Sequence, residues 1–299
     1  MNKLPEEGYR RFASASGLCA ELELDSGDRA LVSLQGAQII SWTPANAVEQ
    51  LYLSPNALRE ATTPIRGGVP ICFPQFNQRR LEAAELPKHG FARTLRWKPG
   101  ATSSTKHCCA VSLELDQDGL PGVLRRAWKH HFTAHMTVTL TRNQLSMQFQ
   151  VKNTGAESWP FALALHTYLR VSDIAAAQVH GLGGIRYWDA VENLADPAVT
   201  KVQSAENLAF TAETDRVYKN PPSRLSLRDA ERCVLIEQSS DFTETVIWNP
   251  GRALCAQLAD MPADGYRHML CIEAAKIDEA VILAPGQTWQ GSQQLTVLD

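Results

Sequence analysis

The chain has 299 residues, 44% of them hydrophobic and 20% charged, with 29 lysines and arginines against 32 aspartates and glutamates. At about 150 residues per domain this length gives a starting expectation of two domains, and the composition is that of a globular protein able to bury a sizeable core. A formal charge of −3 excludes a bulk pull toward nucleic acid or anionic membrane, so any anionic ligand must be caught by a local cluster.

The N-terminal stretch MNKLPEEGYRRFASASG lacks the apolar segment of a secretory leader. No apolar run is long enough to cross a bilayer as a helix. The seven cysteines (Cys19, Cys72, Cys108, Cys109, Cys233, Cys255 and Cys271) are odd in number and show no CxxC spacing. That pattern fits neither a disulfide framework nor a zinc ribbon. A reduced, cytoplasmic protein is expected.

In chain order, short strands are expected over Cys19–Leu24, Ala30–Leu34 and Gln38–Trp42, with Ser26-Gly27-Asp28 as a turn. Helical periodicity is scarce; Asn56–Glu60 and Val123–Lys129 are at most short helices. Between them lies PIRGGVPICFPQF, residues 64–76, where Arg66 precedes Gly67-Gly68. The glycines permit close backbone approach to a ligand and Arg66 can pair with an anion; an arginine in a tight turn is the alternative. The segment PKHGFAR, residues 87–93, adds Lys88 and Arg93 beside a glycine, either as an anion site or as a solvated charge run.

After a strand candidate at Ala110–Leu115, residues 132–140 and 145–152 alternate apolar and polar with period two around a turn. They read as an antiparallel hairpin burying one face. His130, His131 and His135 have metal-like spacing, but on a strand i and i+4 lie about 13 Å apart, too far to share one zinc. In FALALHTY, residues 161–168, Ala162, Ala164, His166 and Tyr168 share a strand face opposite Phe161, Leu163 and Leu165. Small neighbours leave room above His166 for a ligand; a satisfied strand histidine is the alternative. Gly181-Leu182-Gly183-Gly184 lacks dinucleotide-binding spacing.

Further strands are expected at Thr245–Trp248 and Gln287–Leu298, with a turn at Asn249-Pro250-Gly251. In MLCIEAA, residues 269–275, Glu273 interrupts an apolar strand with Cys271 and Ala275 on its face. A carboxylate there is costly unless partnered. Burial would raise its pKa and a nearby cation would lower it. No GxSxG, HExxH or P-loop motif occurs. Without a repeat, low-complexity tract or linker, the chain reads as all-β: one large antiparallel β-sandwich over 1–299 with few short helices. The two-domain expectation gives way to it.

PIRGGVPICFPQF, KHGFAR, LALHTYLRVSDI, GLGGIRYWDA, TDRVY, IWNPG and MLCIEAAKI stand in the order found in the glucose-6-phosphate 1-epimerase branch of the aldose 1-epimerases, which the chain resembles from about Arg66 to its C-terminus. The resemblance implies a galactose mutarotase-like β-sandwich and an isomerase that interconverts the α and β anomers of a hexose 6-phosphate. It matches His89 and His166 to the family's histidines and Glu273 to its catalytic glutamate. Asp215 and Gln75 match sugar-contacting positions. Arg66 and Arg93 match phosphate-binding positions, with Lys88 adjacent. The chain departs at Asn77, where many members carry glycine.

Anomer exchange needs a proton removed from the C1 hydroxyl and one delivered to the ring oxygen, for which two positioned groups suffice. Glu273 is assigned as base and His166 as acid, with roles exchanging on return; His89 would polarise the reacting oxygens. No metal or cofactor is expected, and no partner beyond the small-molecule substrate, so a monomer is expected. The rivals are a mutarotase for unphosphorylated aldoses and a non-catalytic sugar-phosphate-binding module.

Overall fold

The computed structural model describes residues 9–14, 17–58, 60, 62–79, 81–82, 85–193, 196–230 and 232–298. Most of the N-terminal stretch read for a leader lies outside them. Three antiparallel sheets carry the fold. Four strands, Tyr9–Ser14, Gly17–Glu23, Arg29–Ser33 and Gln38–Thr43, form the first in chain order. A nine-stranded sheet runs in the order Asn207–Ala209, Gln178–His180, Arg224–Asp229, Arg232–Gln238, Thr288–Leu298, Gln144–Asn153, Phe132–Thr141, Cys108–Asp116 and Lys98–Thr105. An eight-stranded sheet runs Thr200–Val202, Arg186–Asp189, Thr214–Lys219, Glu244–Asn249, Met269–Leu283, Trp159–Leu165 and Ile71–Cys72, with Tyr168–Arg170 also pairing to Met269–Leu283.

Alternation drives this architecture. In Phe132–Thr141 every second side chain is buried, and its hairpin with Gln144–Asn153 keeps register from Phe132↔Asn153 to Thr141↔Gln144. The buried face of that hairpin meets the inner face of the eight-stranded sheet: Phe149 packs on Phe73, and Phe73 on Phe161. Leu163, Leu165, Ile272 and Ala274 join the same core. Full burial of such side chains contributes about 1.5–3 kcal/mol each.

Most of the expected strands form within one or two residues of their predicted ends, but the strand read through His166 stops at Leu165 and resumes at Tyr168, and the one carrying Glu273 runs on to Leu283. Val123–Lys129 becomes the helix Gly122–Ala127. Asn56–Glu60 is not helical among its described residues (residue 59 lies outside them). One turn closes, with the Ala57 N–H donating to the Ser54 carbonyl, but exposed Leu58 offers no apolar face to extend it. A short helix at Gly251–Cys255 carried no sequence signal.

The three histidines separate. His135 alone lies on the strand and faces Glu114, while His130 bonds Glu82 at 2.8 Å and stacks on Trp159. No disulfide links the cysteines. Among the described residues no helix is long and apolar enough to cross a membrane.

Candidate active site

The outer face of the eight-stranded sheet is where small residues collect. Phe161, Leu163 and Leu165 point into the core, whereas Ala162 and Ala164 join Cys72, Ala275, Val246 and Val217 on the other side. Register sets the rows. Ala164 lies opposite both Cys72 and Ala275, Val246 opposite Glu273, and Trp248 opposite both Asp215 and Cys271. Directly paired residues share a face, so Asp215, Trp248, Cys271 and Glu273 look outward together. Past Leu165 the strand breaks: the His166 N–H donates to the Pro70 carbonyl and the Tyr168 N–H to the Gly68 carbonyl. Tyr168 then pairs opposite Cys271.

His166 Nε2 lies 3.3 Å from Glu273 Oε1. Glu273 is 1% exposed and His166 8%, yet His166 Nδ1 and Glu273 Oε2 have no hydrogen-bond partner. Burial pushes the Glu273 carboxyl well above its usual range; Asp215 adds to this and Arg93 opposes it. Burial pulls the His166 imidazole well below its usual range, and Arg93, Arg66 and Lys88 add to that. Both shifts favour the uncharged forms, a protonated Glu273 and a neutral His166. Tyr168 stacks on the His166 ring at 4.8 Å and 13°, and Trp248 meets it edge-on at 5.9 Å, so the imidazole plane is fixed.

A basic rim surrounds this pair. Arg66 donates from Nε to Asp260 Oδ2 at 3.0 Å and from Nη1 to the Tyr168 hydroxyl at 3.1 Å; neither bond uses Nη2. Arg93 donates from Nη2 to the Lys88 carbonyl at 2.8 Å, and its buried Nε has no partner. Lys88 is exposed, and its amine is pulled down by partial desolvation and then by Arg93 and Arg66. Crowded cations of this kind are relieved by an anion.

The loop carrying Lys88 and His89 is held by backbone geometry. Asn77 takes a left-handed φ of 52°, a conformation that asparagine tolerates better than most residues other than glycine. Its N–H donates to His89 Nδ1 at 3.2 Å, and its carbonyl accepts from the His89 N–H at 2.8 Å. Burial, His166 and Arg93 hold the His89 ring well below its usual pKa. It is therefore neutral, and an Nδ1 that accepts leaves the proton on Nε2. Gln75 donates its side-chain nitrogen to the carbonyls of Pro87, Leu86 and Asn77, which ties that nitrogen to the loop. Asp215 is pushed up to about 6 by burial, with Lys88 opposing.

The predicted residues Arg66, Lys88, His89, Arg93, His166, Asp215 and Glu273 thus share one electrostatic neighbourhood. Gln75 braces it from the loop. The glycine pair plays a different part from the expected one. A Cβ on Gly67 would sit 2.3 Å from the Tyr52 carbonyl oxygen, and one on Gly68 2.1 Å from that of Ile39, so the close approach is to the protein's own backbone. Sequence reading gave no role to Trp248, Asp260 or the Tyr168 ring. Period two from His166 and Glu273 points to Tyr168, but the loop holding Asp260 has no periodic signal.

The family model described as aldose 1-epimerase matches residues 19–296. An Escherichia coli protein with the provisional name glucose-6-phosphate 1-epimerase is 35% identical, covering 84% of this chain and 81% of its own. A protein of the grass Cenchrus ciliaris with the same provisional name is 30% identical over 89% and 80%. The solved structure of a Salmonella typhimurium protein, described provisionally as a mutarotase, superposes with a TM-score of 0.88 at 28% identity, covering all of this chain and 96% of that one. The sandwich, the outward His166–Glu273 pair and these matches agree, and the chain belongs to the aldose 1-epimerase family.

Proposed function

We propose that this chain interconverts the α and β anomers of a hexose 6-phosphate. The carrying observation is the buried His166–Glu273 pair at 3.3 Å, set in the field of Arg66, Lys88 and Arg93. The names of the two curated relatives support the 6-phosphate.

A phosphate against the three cations cancels the field that depresses His166, and the sugar's O1–H gives the Glu273 carboxylate a hydrogen bond. Both effects favour passage of the pair's proton from Glu273 to His166. Glu273 then takes the proton from O1 while His166 gives its own to the ring oxygen, and the C1–O5 bond breaks as C1=O1 forms. After rotation about C1–C2, O5 adds to the other face of C1, His166 removes its proton and Glu273 returns one to O1. His89, a neutral Nε2–H donor, hydrogen-bonds the reacting oxygens. Asp215 accepts from sugar hydroxyls when ionised, above a pH of about 6. A reduced cytoplasmic setting is in keeping with cysteines that form no disulfide.

A hydrogen bond to a charged group is worth about 1.5–3 kcal/mol. Two arginines on phosphate would then favour the phosphorylated sugar by roughly 10²–10⁴ if additive. Anomer exchange followed by NMR on α-glucose 6-phosphate and on α-glucose tests this. Acceleration of the phosphate ester by at least 10²-fold over glucose is expected from the same estimate. Equal use of both sugars supports a general aldose mutarotase instead, and no acceleration of either supports a binding module.

A further inference from the structure

The anomerase mechanism uses His166 and Glu273 but leaves Cys271 without a task. That thiol is fully buried on the same sheet face, two residues before Glu273 and opposite both Tyr168 and Trp248. One donor atom from each of His166, Cys271 and Glu273 lies within 4.8 Å of the other two. We propose that these three side chains form a trap for a thiophilic divalent cation such as Zn²⁺, which shuts the site by displacing the sugar.

The donor chemistry fits. Zinc takes imidazole nitrogen and carboxylate oxygen at about 2.0–2.2 Å and thiolate sulfur at about 2.3 Å, in a tetrahedron. Those lengths place a nitrogen and an oxygen ligand about 3.3 Å apart and sulfur about 3.6 Å from either. The His166 Nε2 to Glu273 Oε1 separation is already 3.3 Å, so the cation fits between them with no spreading of the pair. Cys271 Sγ lies within 4.8 Å of both donors. Zinc binding converts the Cys271 thiol to thiolate and the Glu273 carboxyl to carboxylate, and both protons go to solvent.

Two further observations point the same way. His166 Nδ1 and Glu273 Oε2 are buried without partners, so no second hydrogen bond holds either side chain against the small adjustment that a cation between Nε2 and Oε1 requires. The fourth tetrahedral position falls to water or substrate, as in three-ligand zinc sites. Arg66, Lys88 and Arg93 act against a cation here, and Asp215 acts for it. The trap is therefore weaker than a structural zinc site, and reversible.

That the cation competes with sugar phosphate rests on the proposed function; the cation site itself does not. The probes are Zn²⁺ for inhibition and Co²⁺ for spectroscopy, with the full chain free of chelator. Co²⁺ is expected to give a thiolate-to-cobalt charge-transfer band in wild type, lost in Cys271→Ser and in Cys271→Ala, and bleached by excess glucose 6-phosphate. Zn²⁺ inhibition is expected to weaken about tenfold or more in both variants, since losing a ligand costs at least what losing its outer support does. Both variants are expected to keep their zinc-free rate of anomer exchange. Absence of the band in wild type, or a band and an inhibition constant unchanged in Cys271→Ala, overturns the proposal. A Cys271-dependent band that glucose 6-phosphate leaves intact supports the cation site and overturns the reading of this cleft as the sugar-phosphate site.

Discussion

The two large sheets obey the same alternation and put it to opposite uses. In the nine-stranded sheet, Cys108–Asp116, Phe132–Thr141 and Gln144–Asn153 pair in unbroken register, and their outer residues are mostly polar and at least partly solvated, such as Thr137, Ser146 and Gln148. In the eight-stranded sheet, the partner of Met269–Leu283 is split into Trp159–Leu165 and Tyr168–Arg170, and the register slips between Phe161 and Leu163. Its outer face carries small apolar side chains, buried ionisable groups and a loop folded over them. Regularity makes the core; the interruption releases His166 from the ladder so that its N–H bonds Pro70 and its ring meets Glu273.

Substitutions should therefore divide by sheet. The largest effect is expected from Glu273→Gln, a near-isosteric change that removes a proton carrier. A rate loss of roughly 10²–10⁴-fold, measured by NMR anomer exchange, should accompany an unfolding midpoint no lower than that of wild type. His166→Ala should lose activity similarly, and near-normal exchange by either variant would remove the pair from the mechanism.

Phe149→Ala, in the hairpin across the core, should do the reverse. A loss of about 3–5 kcal/mol in denaturant unfolding is expected, with kcat per folded molecule unchanged. A fall in kcat would show that the two sheets are not functionally separate.

Next in size is Arg93→Ala, expected to lower kcat/KM for glucose 6-phosphate by about 1.5–3 kcal/mol, or roughly ten- to a hundredfold. Glucose should be affected far less. If phosphate acts on His166 as proposed, part of this loss appears in kcat; a change confined to KM would mean that the anion only anchors.

The smallest effect is in Asp215→Asn. Burial pushes this carboxyl up to about 6 in the folded state, against a reference of 3.8. Between those values the native state holds a proton that the unfolded chain has released, so this group's contribution is full below about pH 4 and fades as pH rises through 6. The asparagine variant should accordingly be more stable than wild type at pH 8, by about 1–2 kcal/mol after screening at a partly exposed site. It should match wild type near pH 4 while binding sugar less well. Equal stability at both pH values would show that Asp215 is not strained by burial.

The same division explains what the sequence made legible. Phe132–Thr141 and Gln144–Asn153 announced themselves because one face is apolar and the other polar throughout. Thr200–Val202 and Asn207–Ala209 are three residues each, too short for period two to register. His166 and Glu273 were visible as polar interruptions among small residues on apolar strands. The 3.3 Å that joins them is a product of pairing between segments more than a hundred residues apart. Asn77 was legible only as a departure from the expected glycine; its positive φ is a left-handed turn that sequence alone does not announce. Asp260 lies in a loop with no repeat, so its bond to Arg66 is visible only in three dimensions.

If Arg66 takes the phosphate as proposed, that last bond bears on how the anion is received. A free arginine on a surface loses about 0.5–1.5 kcal/mol of rotamer entropy when a ligand immobilises it. Arg66 is already immobilised by Asp260 and Tyr168 at 3.0 and 3.1 Å, so that loss falls on folding and not on binding. The cost is electrostatic: the Asp260 carboxylate offsets part of the charge that an incoming anion meets. The protein has exchanged field strength for aim.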